Sequence, residues 1–331
     1  MELLALSAEE VRRALPMEAA LEAAERAFVA MATGAGQAPP RIALPTGGGR
    51  TPHASGGTTL VMGGRLEGVG LTAKTVSVFP GNRERGLPVV PALVTVLDPE
   101  TGLPTALLDG TSLTALRTGA AAGLSARLLA RPEARIGALI GCGQQAVTQL
   151  AAMTAACSLD EVRVFARSQE RVAAFCAEQR QSVTPRLQPA ATCRAAVEGA
   201  DVVFAATTSA TPVLDGAWLA PGAHLSGVGS FTLEQRELDQ ASIERARVFI
   251  DDLESALTEA GELVAAEHAG VTRREDWTLL GDVARGAAAG RTDPTELTLF
   301  KSVGHALQDV TAAAACLDGA RRLGLGRSIA L

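Results

Sequence analysis

Hydrophobic and polar positions change their period twice along this chain, and each change marks a different kind of structure. Over residues 7–32 the apolar side chains Val11, Ala14, Ala20, Leu21, Ala24 and Phe28 recur at helical spacing. Pro16 divides that run into two predicted helices, and Ser7 with Glu10 forms a capping box at the start of the first. Residues 34–58 are rich in Gly, Pro and Thr and read as loops or short strands. Short β-type runs follow at 60–62, 70–76, 89–97 and 105–108, separated by the turn sequences Pro80-Gly81-Asn82, Asp98-Pro99 and Thr101-Gly102. They predict a mixed sheet without parallel rhythm. A long Ala- and Leu-rich helix is predicted over 112–130, stopping before Pro132.

Beyond that helix the rhythm becomes strand, helix, strand. Strands are expected at 136–140, 161–165, 201–206, 223–228 and 247–251, and helices at 144–156 and 169–178. Such alternation predicts a parallel sheet. Loops and helices are expected over 255–300, and a closing helix over 303–323. A chain of 331 residues suits two domains.

Composition narrows the function. A net charge of −6 gives no reason to expect nucleic acid or an anionic membrane as partner. No run is apolar for the roughly 18 residues a membrane span needs, and the amino terminus lacks the pattern of a secretion signal. The five cysteines, Cys142, Cys157, Cys176, Cys193 and Cys316, are odd in number and lack CxxC spacing, which points to reduced thiols in a cytoplasmic protein. The four histidines show no metal-ligand spacing. The absence of tyrosine sets aside the short-chain dehydrogenases, which use a Tyr–Lys pair.

Within the alternating segment stands Gly141-Cys142-Gly143-Gln144-Gln145-Ala146, between a predicted strand and a predicted helix. Gly141 permits a tight turn, Gly143 lets main chain approach a pyrophosphate, and the helix amino terminus at Gln144 and Gln145 offers free amides to it. This context predicts dinucleotide binding. The next strand ends Phe165-Ala166-Arg167-Ser168 with no acidic residue for ribose hydroxyls. Arg167 and Ser168 suit a 2′-phosphate instead, which favours NADP while leaving NAD possible.

Four further segments give these residues a family resemblance. They are Pro40-Arg41; the run from Lys74 through Pro80-Gly81-Asn82 to Gly86-Leu87-Pro88; the run from Asp109 through Arg117 to Ala120; and the run from Phe300 through Ser302 and Gly304 to Asp309. With the glycine turn between them, the chain resembles the ornithine cyclodeaminase/μ-crystallin family over nearly its whole length. The resemblance implies an α/β fold: a Rossmann dinucleotide-binding domain over 126–303, plus a discontinuous α+β substrate and dimerisation domain from 1–125 and 304–331. It also implies a homodimer joined through the substrate domains, and hydride chemistry at the α-carbon of amino or imino acids.

Position by position, the resemblance makes Arg41, Lys74 and Arg117 the site for a substrate carboxylate, which suits paired cationic donors. Lys74, embedded in an apolar run, is also the candidate proton donor, and Val303 matches a substrate-contacting position. Thr118, Ser209, Val228, Gly229 and Ser302 match cofactor-contacting positions. A second substrate carboxylate would have His53, Arg83 or Arg85 to pair with. One departure is informative. Cyclodeaminases carry an aspartate soon after the Val-Gly pair, and here Phe231 occupies that place. Phenylalanine neither accepts a proton nor pairs with an ammonium, which disfavours ornithine cyclisation. Val89 likewise replaces a cofactor-contacting threonine. The expectation is reduction of a small α-imino acid to an L-amino acid, with an alanine-type amino-acid dehydrogenase and a non-catalytic μ-crystallin-like binding protein as alternatives.

Overall fold

The computed structural model describes residues 2–46 and 56–330. The chain parts into two compact units, one formed by Met1–Arg117 with His305–Leu331, the other by Thr118–Gly304.

The first unit opens with β1 (Glu2–Leu6), α1 (Ala8–Ala14) and α2 (Met17–Thr33). Ser7 caps α1 in a capping box with Glu10, as its sequence predicts. Then come β2 (Gly36–Gln37), β3 (Ile42–Pro45), β4 (Thr58–Leu66), β5 (Gly70–Val78), β6 (Ala92–Leu97) and β7 (Pro104–Asp109), followed by α3 (Gly110–Leu129). The two units divide inside α3, between Arg117 and Thr118, in the same helix as the boundary expected near residue 125. No Gly/Pro linker marks it, because α3 runs through as one buried helix with Leu116, Ala120, Ala122 and Leu124 all covered.

The second unit holds β8 (Ile136–Ile140), α4 (Gln144–Ala156), β9 (Glu161–Phe165), α5 (Gln169–Gln179), β10 (Arg186–Pro189), α6 (Cys193–Val197), β11 (Val202–Ala205), β12 (His224–Gly227), α7 (Gln240–Arg245) and β13 (Ala246–Ile250). It continues with α8 (Leu253–Glu259), α9 (Gly261–His268), β14 (Thr278–Leu279), α10 (Leu280–Ala284) and β15 (Leu297–Lys301). The chain then returns to the first unit as α11 (Ala306–Leu323) and β16 (Arg327–Ala330).

In the first unit the strands run β16-β1-β7-β6-β5-β4-β2, with β3 also paired to β4. Among the described residues its pairings are antiparallel except β1 with β7. Burial alternates along β4, β5 and β6. One face, carrying Leu60, Met62, Val76 and Val94, is buried, and α11 packs on β4 and β5 as well as on α2. A side chain on β5 therefore enters the core only at every second position, and Lys74 holds one of those positions.

The second unit is a parallel sheet in the order β10-β9-β8-β11-β12-β15-β13-β14. The chain order reverses between β8 and β11, the switch point beside which open α/β sheets bind ligands at their carboxyl edge. Residues 297–301, expected among loops and helices, form β15, an interior strand of the sheet. All five of its residues are buried, Thr298 and Lys301 included, so polarity along the run does not mark a solvent face that would announce a strand.

Candidate active site

In the first unit a charge cluster lies inside the core. Lys74 on β5 is 1% exposed, between Met62 on β4 and Val94 on β6 in the sheet register. Its Nζ stands 2.5 Å from Asp309 Oδ2, and Asp309 is equally buried. Arg117, near the middle of α3 and also buried, donates from Nε to Asp309 Oδ1 at 3.1 Å. It donates from NH1 to Gln308 Oε1 at 3.1 Å as well. These bonds engage only part of the guanidinium fork, which carries five N–H donors.

Burial drives the Lys74 ammonium down from 10.5 to about 7. Asp309 opposes that fall, while the charges of Arg117 and Arg41 reinforce it. Arg41 thus stands within electrostatic reach of Lys74. For Asp309 burial acts against ionisation, yet the ion pairs with Lys74 and Arg117 outweigh it and hold the carboxyl below its usual range. Two cations therefore share one internal carboxylate, and the charge of Arg41 acts on Lys74. An incoming carboxylate finds an excess of positive charge there and would return Lys74 to its protonated form.

In the second unit the predicted cofactor residues gather along the carboxyl edge of the sheet. Gly141 leaves β8 at φ +116°, and a Cβ there would lie 2.6 Å from the Ala206 carbonyl oxygen, so the turn admits only glycine. Gly143 is the N-cap of α4, with no side chain on the helix amides and open space where a Cβ would stand. That combination fits a pyrophosphate: free amides, the positive end of a helix dipole and room for close approach. Gln144 is exposed at the same helix start and Gln145 half-buried.

Beyond β9, Arg167 is exposed, and the Ser168 hydroxyl caps α5 by accepting the Arg171 amide at 3.3 Å. Ser168 is thus first a helix cap, and Arg167 is the freer donor. After β11, Ser209 Oγ donates to the Thr211 carbonyl at 2.7 Å. Val228 and Gly229 follow β12, and Ser302 follows β15. Thr118 lies on α3. Val303, matched by resemblance to substrate contact, is buried against the second unit's apolar core. Phe231 also packs against that core, and its amide donates to Gln235 Oε1 at 3.3 Å. Of the residues considered for a second carboxylate, Arg85 is exposed, whereas His53 and the Arg83 side chain lie outside the described residues.

Sequence reasoning quoted Asp309, Glu237 and Lys301 without giving them roles, and it overlooked Gln308, Asp251 and Glu262. The available signal was an acid on the apolar side of an Ala-rich helix, since Asp309 shares its face with Ala306, Ala313 and Cys316. Among the described residues no group of His, Cys, Asp or Glu is arranged to hold a metal ion, and no helix is long and apolar enough to cross a membrane. The five cysteines are free thiols.

The ornithine cyclodeaminase/mu-crystallin family model matches residues 1–322. The chain belongs to this family. A Δ1-pyrroline-2-carboxylate reductase of Bacillus cereus is 32% identical over 330 residues, covering 99% of both chains. The Δ1-pyrroline-2-carboxylate reductase of Thermococcus litoralis, solved in complex with NADH and L-proline, is 32% identical with a TM-score of 0.93 over 99% of this chain and 100% of that one. An archaeal alanine dehydrogenase, solved as a dimer with bound NAD, is 34% identical with a TM-score of 0.89 over 100% of both.

Proposed function

We propose that the protein is an NAD(P)H-dependent reductase of small α-imino acids, of the Δ1-pyrroline-2-carboxylate kind, yielding an L-amino acid. The observation that carries this reading is the buried cluster in which Lys74 and Arg117 share the carboxylate of Asp309, with the charge of Arg41 acting on Lys74. Arg41 and the free edge of Arg117 bind the substrate carboxylate, and Asp309 keeps Arg117 and Lys74 in place. A bound nicotinamide supplies the hydride that adds to the imine carbon. Lys74 Nζ holds a proton at the substrate nitrogen, and the substrate carboxylate favours its charged form. An iminium carbon is already electrophilic, so orientation and exclusion of water do most of the work. Phe231 offers no base for a substrate amine, which speaks against ornithine cyclisation. The resemblance of the archaeal alanine dehydrogenase supports a second reading, reductive amination of a 2-oxo acid, in which Lys74 alone would handle the ammonia and carbinolamine protons. Steady-state assays separate the two. With NADPH, kcat/KM for preformed Δ1-pyrroline-2-carboxylate should exceed that for pyruvate with ammonium by about 10²-fold or more; the opposite order assigns the dehydrogenase.

The cofactor edge favours NADPH through Arg167, with NADH also accepted, as the NADH complex of the Thermococcus relative supports. A second copy of the chain is the proposed partner. On the solvent face of the first unit's sheet, Ile42, Val61, Thr75 and Leu93 form one cross-strand row, and Ile42 and Leu93 are 60% and 46% exposed. An apolar row of that kind suits burial against a copy of itself.

A further inference from the structure

The second unit carries three buried carboxylates that the sequence reading leaves unused, and each is bonded at the carboxyl edge of the parallel sheet. Glu237 is fully buried and bridges two strand exits. The Thr207 amide, beyond β11, donates to its Oε1 at 2.5 Å, and the Gly229 amide, beyond β12, donates to its Oε2 at 2.7 Å. Contact is close enough that a Cβ on Gly229 would fall 2.4 Å from Oε1 and 2.2 Å from the Thr207 carbonyl oxygen. Asp251 serves β15 in the same way: Oδ2 accepts from Ser302 Oγ at 2.8 Å, from the Val303 amide at 3.1 Å and from the Gly304 amide at 3.0 Å. Glu262 accepts from Ser230 Oγ at 2.6 Å and pairs at 3.3 Å with Lys301, whose Nζ donates to the Ser230 carbonyl at 2.6 Å.

These bonds are costly to build without purpose. A buried carboxylate must be matched by donors on every side, and main-chain amides beyond a strand end have water as their usual partner. Here three acids from three different segments fix the exits of β11, β12 and β15, three neighbouring strands. Those exits contain Ser209, Val228, Gly229 and Ser302, which the reading above assigns to the dinucleotide, while Gly141–Gln145 takes its pyrophosphate farther along the same edge. By position, the exits of β11, β12 and β15 are left for the nicotinamide end.

We infer that Glu237 is a positioning residue for the nicotinamide half of the dinucleotide, holding the exits of β11 and β12 in register, with Asp251 and the Glu262–Lys301 pair doing the same for β12 and β15. The inference rests on the reading that this edge binds NAD(P)H. Glu237 touches no reacting atom; it acts through the backbone at Thr207 and Gly229.

The test compares NADPH with ADP-ribose, which lacks the nicotinamide ring, in the full-length wild type, Glu237→Gln, Glu237→Asp and the exposed control Glu234→Gln. Glutamine keeps one acceptor but turns a donor toward the other amide. Expected for Glu237→Gln is a Kd for NADPH raised about tenfold or more with the ADP-ribose Kd within about twofold of wild type, and a loss of bound-nicotinamide fluorescence that Glu237→Asp partly restores. Glu234→Gln should match wild type. Equal weakening of both ligands, or no change in either, overturns the inference while leaving the function intact. A wild type that binds neither ligand removes the functional reading and this one with it. Should Glu237→Gln not fold, amide hydrogen exchange on the wild type decides: slow exchange at Thr207 and Gly229 without cofactor supports a preset edge, and fast exchange there overturns it.

Discussion

Replacing Asp309 by asparagine removes the carboxylate that Lys74 and Arg117 share while hardly changing volume, so its consequences follow from charge. In the wild type the two contacts are 2.5 and 3.1 Å long and inaccessible to water. A hydrogen bond to a charged group contributes about 1.5–3 kcal/mol, and breaking a buried pair by removing one partner costs about 3–5 kcal/mol. Asparagine retains a carbonyl for one cation and turns its NH2 toward the other, which places Asp309→Asn at roughly 3–4 kcal/mol of lost stability. At about 2–4 °C per kcal/mol, the melting temperature should fall by about 10 °C. Lys74 also loses the interaction that resists its deprotonation. A change of only about 2–3 kcal/mol shifts that equilibrium by roughly 30- to 160-fold toward the neutral amine. In NADPH-oxidation assays with Δ1-pyrroline-2-carboxylate, kcat/KM at pH 8 should drop about 10²-fold, with partial recovery toward pH 6. The double variant Lys74→Met/Asp309→Asn should be more stable than Asp309→Asn alone, because no buried ammonium is then left unpaired. A single variant with wild-type melting and an unshifted pH profile would refute the coupling of Asp309 to Lys74.

Other consequences are as direct. The Lys74 ammonium is depressed from 10.5 to about 7, so it is charged below that pH and neutral above it. Affinity for 2-furoate, a ring carboxylate without a basic nitrogen, should therefore weaken about tenfold per pH unit between pH 7 and 9, and calorimetry on Lys74→Met should find no such dependence. Arg167→Ala should raise KM for NADPH about tenfold and leave that for NADH unchanged, the loss of one exposed phosphate contact; equal effects on both would place Arg167 away from the 2′-phosphate. Leu93→Glu, on the exposed apolar row of the first unit, should shift the sedimentation coefficient from dimer to monomer, and an unaltered dimer would move the interface elsewhere.

Much of the architecture was legible because local signals agreed with the fold. The capping box at Ser7 and Glu10, the break at Pro16 and the strand–turn–helix around Gly141 each state their structure within a few residues. Strand β15 stayed hidden for the opposite reason: Leu297–Lys301 is buried on both faces, Thr298 and Lys301 included, so polarity along the run does not report which face is covered. Strands β1 and β16 are short elements defined by their pairing with each other, far apart in the chain. The unit boundary inside α3 left no mark because a helix buried all round shows no polar face to lose. At the site, the cations could be named from a motif. Their dependence on Asp309 and Gln308, some 190 residues from Arg117, is a tertiary fact. Glu237 was equally invisible, since its partners are main-chain amides that carry no sequence signature.

Kinetics with and without the substrate carboxylate test the central claim most directly. Δ1-Pyrroline-2-carboxylate and Δ1-pyrroline share the ring and the imine and differ only in the acid group assigned to Arg41 and Arg117. With NADPH held saturating, kcat/KM for the carboxylate should exceed that for the bare imine by about 10³-fold or more, since a site built to bind a group rejects an analogue lacking it by large factors. The ratio should collapse in Arg117→Met. Comparable rates on the two imines, or a preference untouched by that variant, would contradict the assignment of the buried cations to substrate recognition.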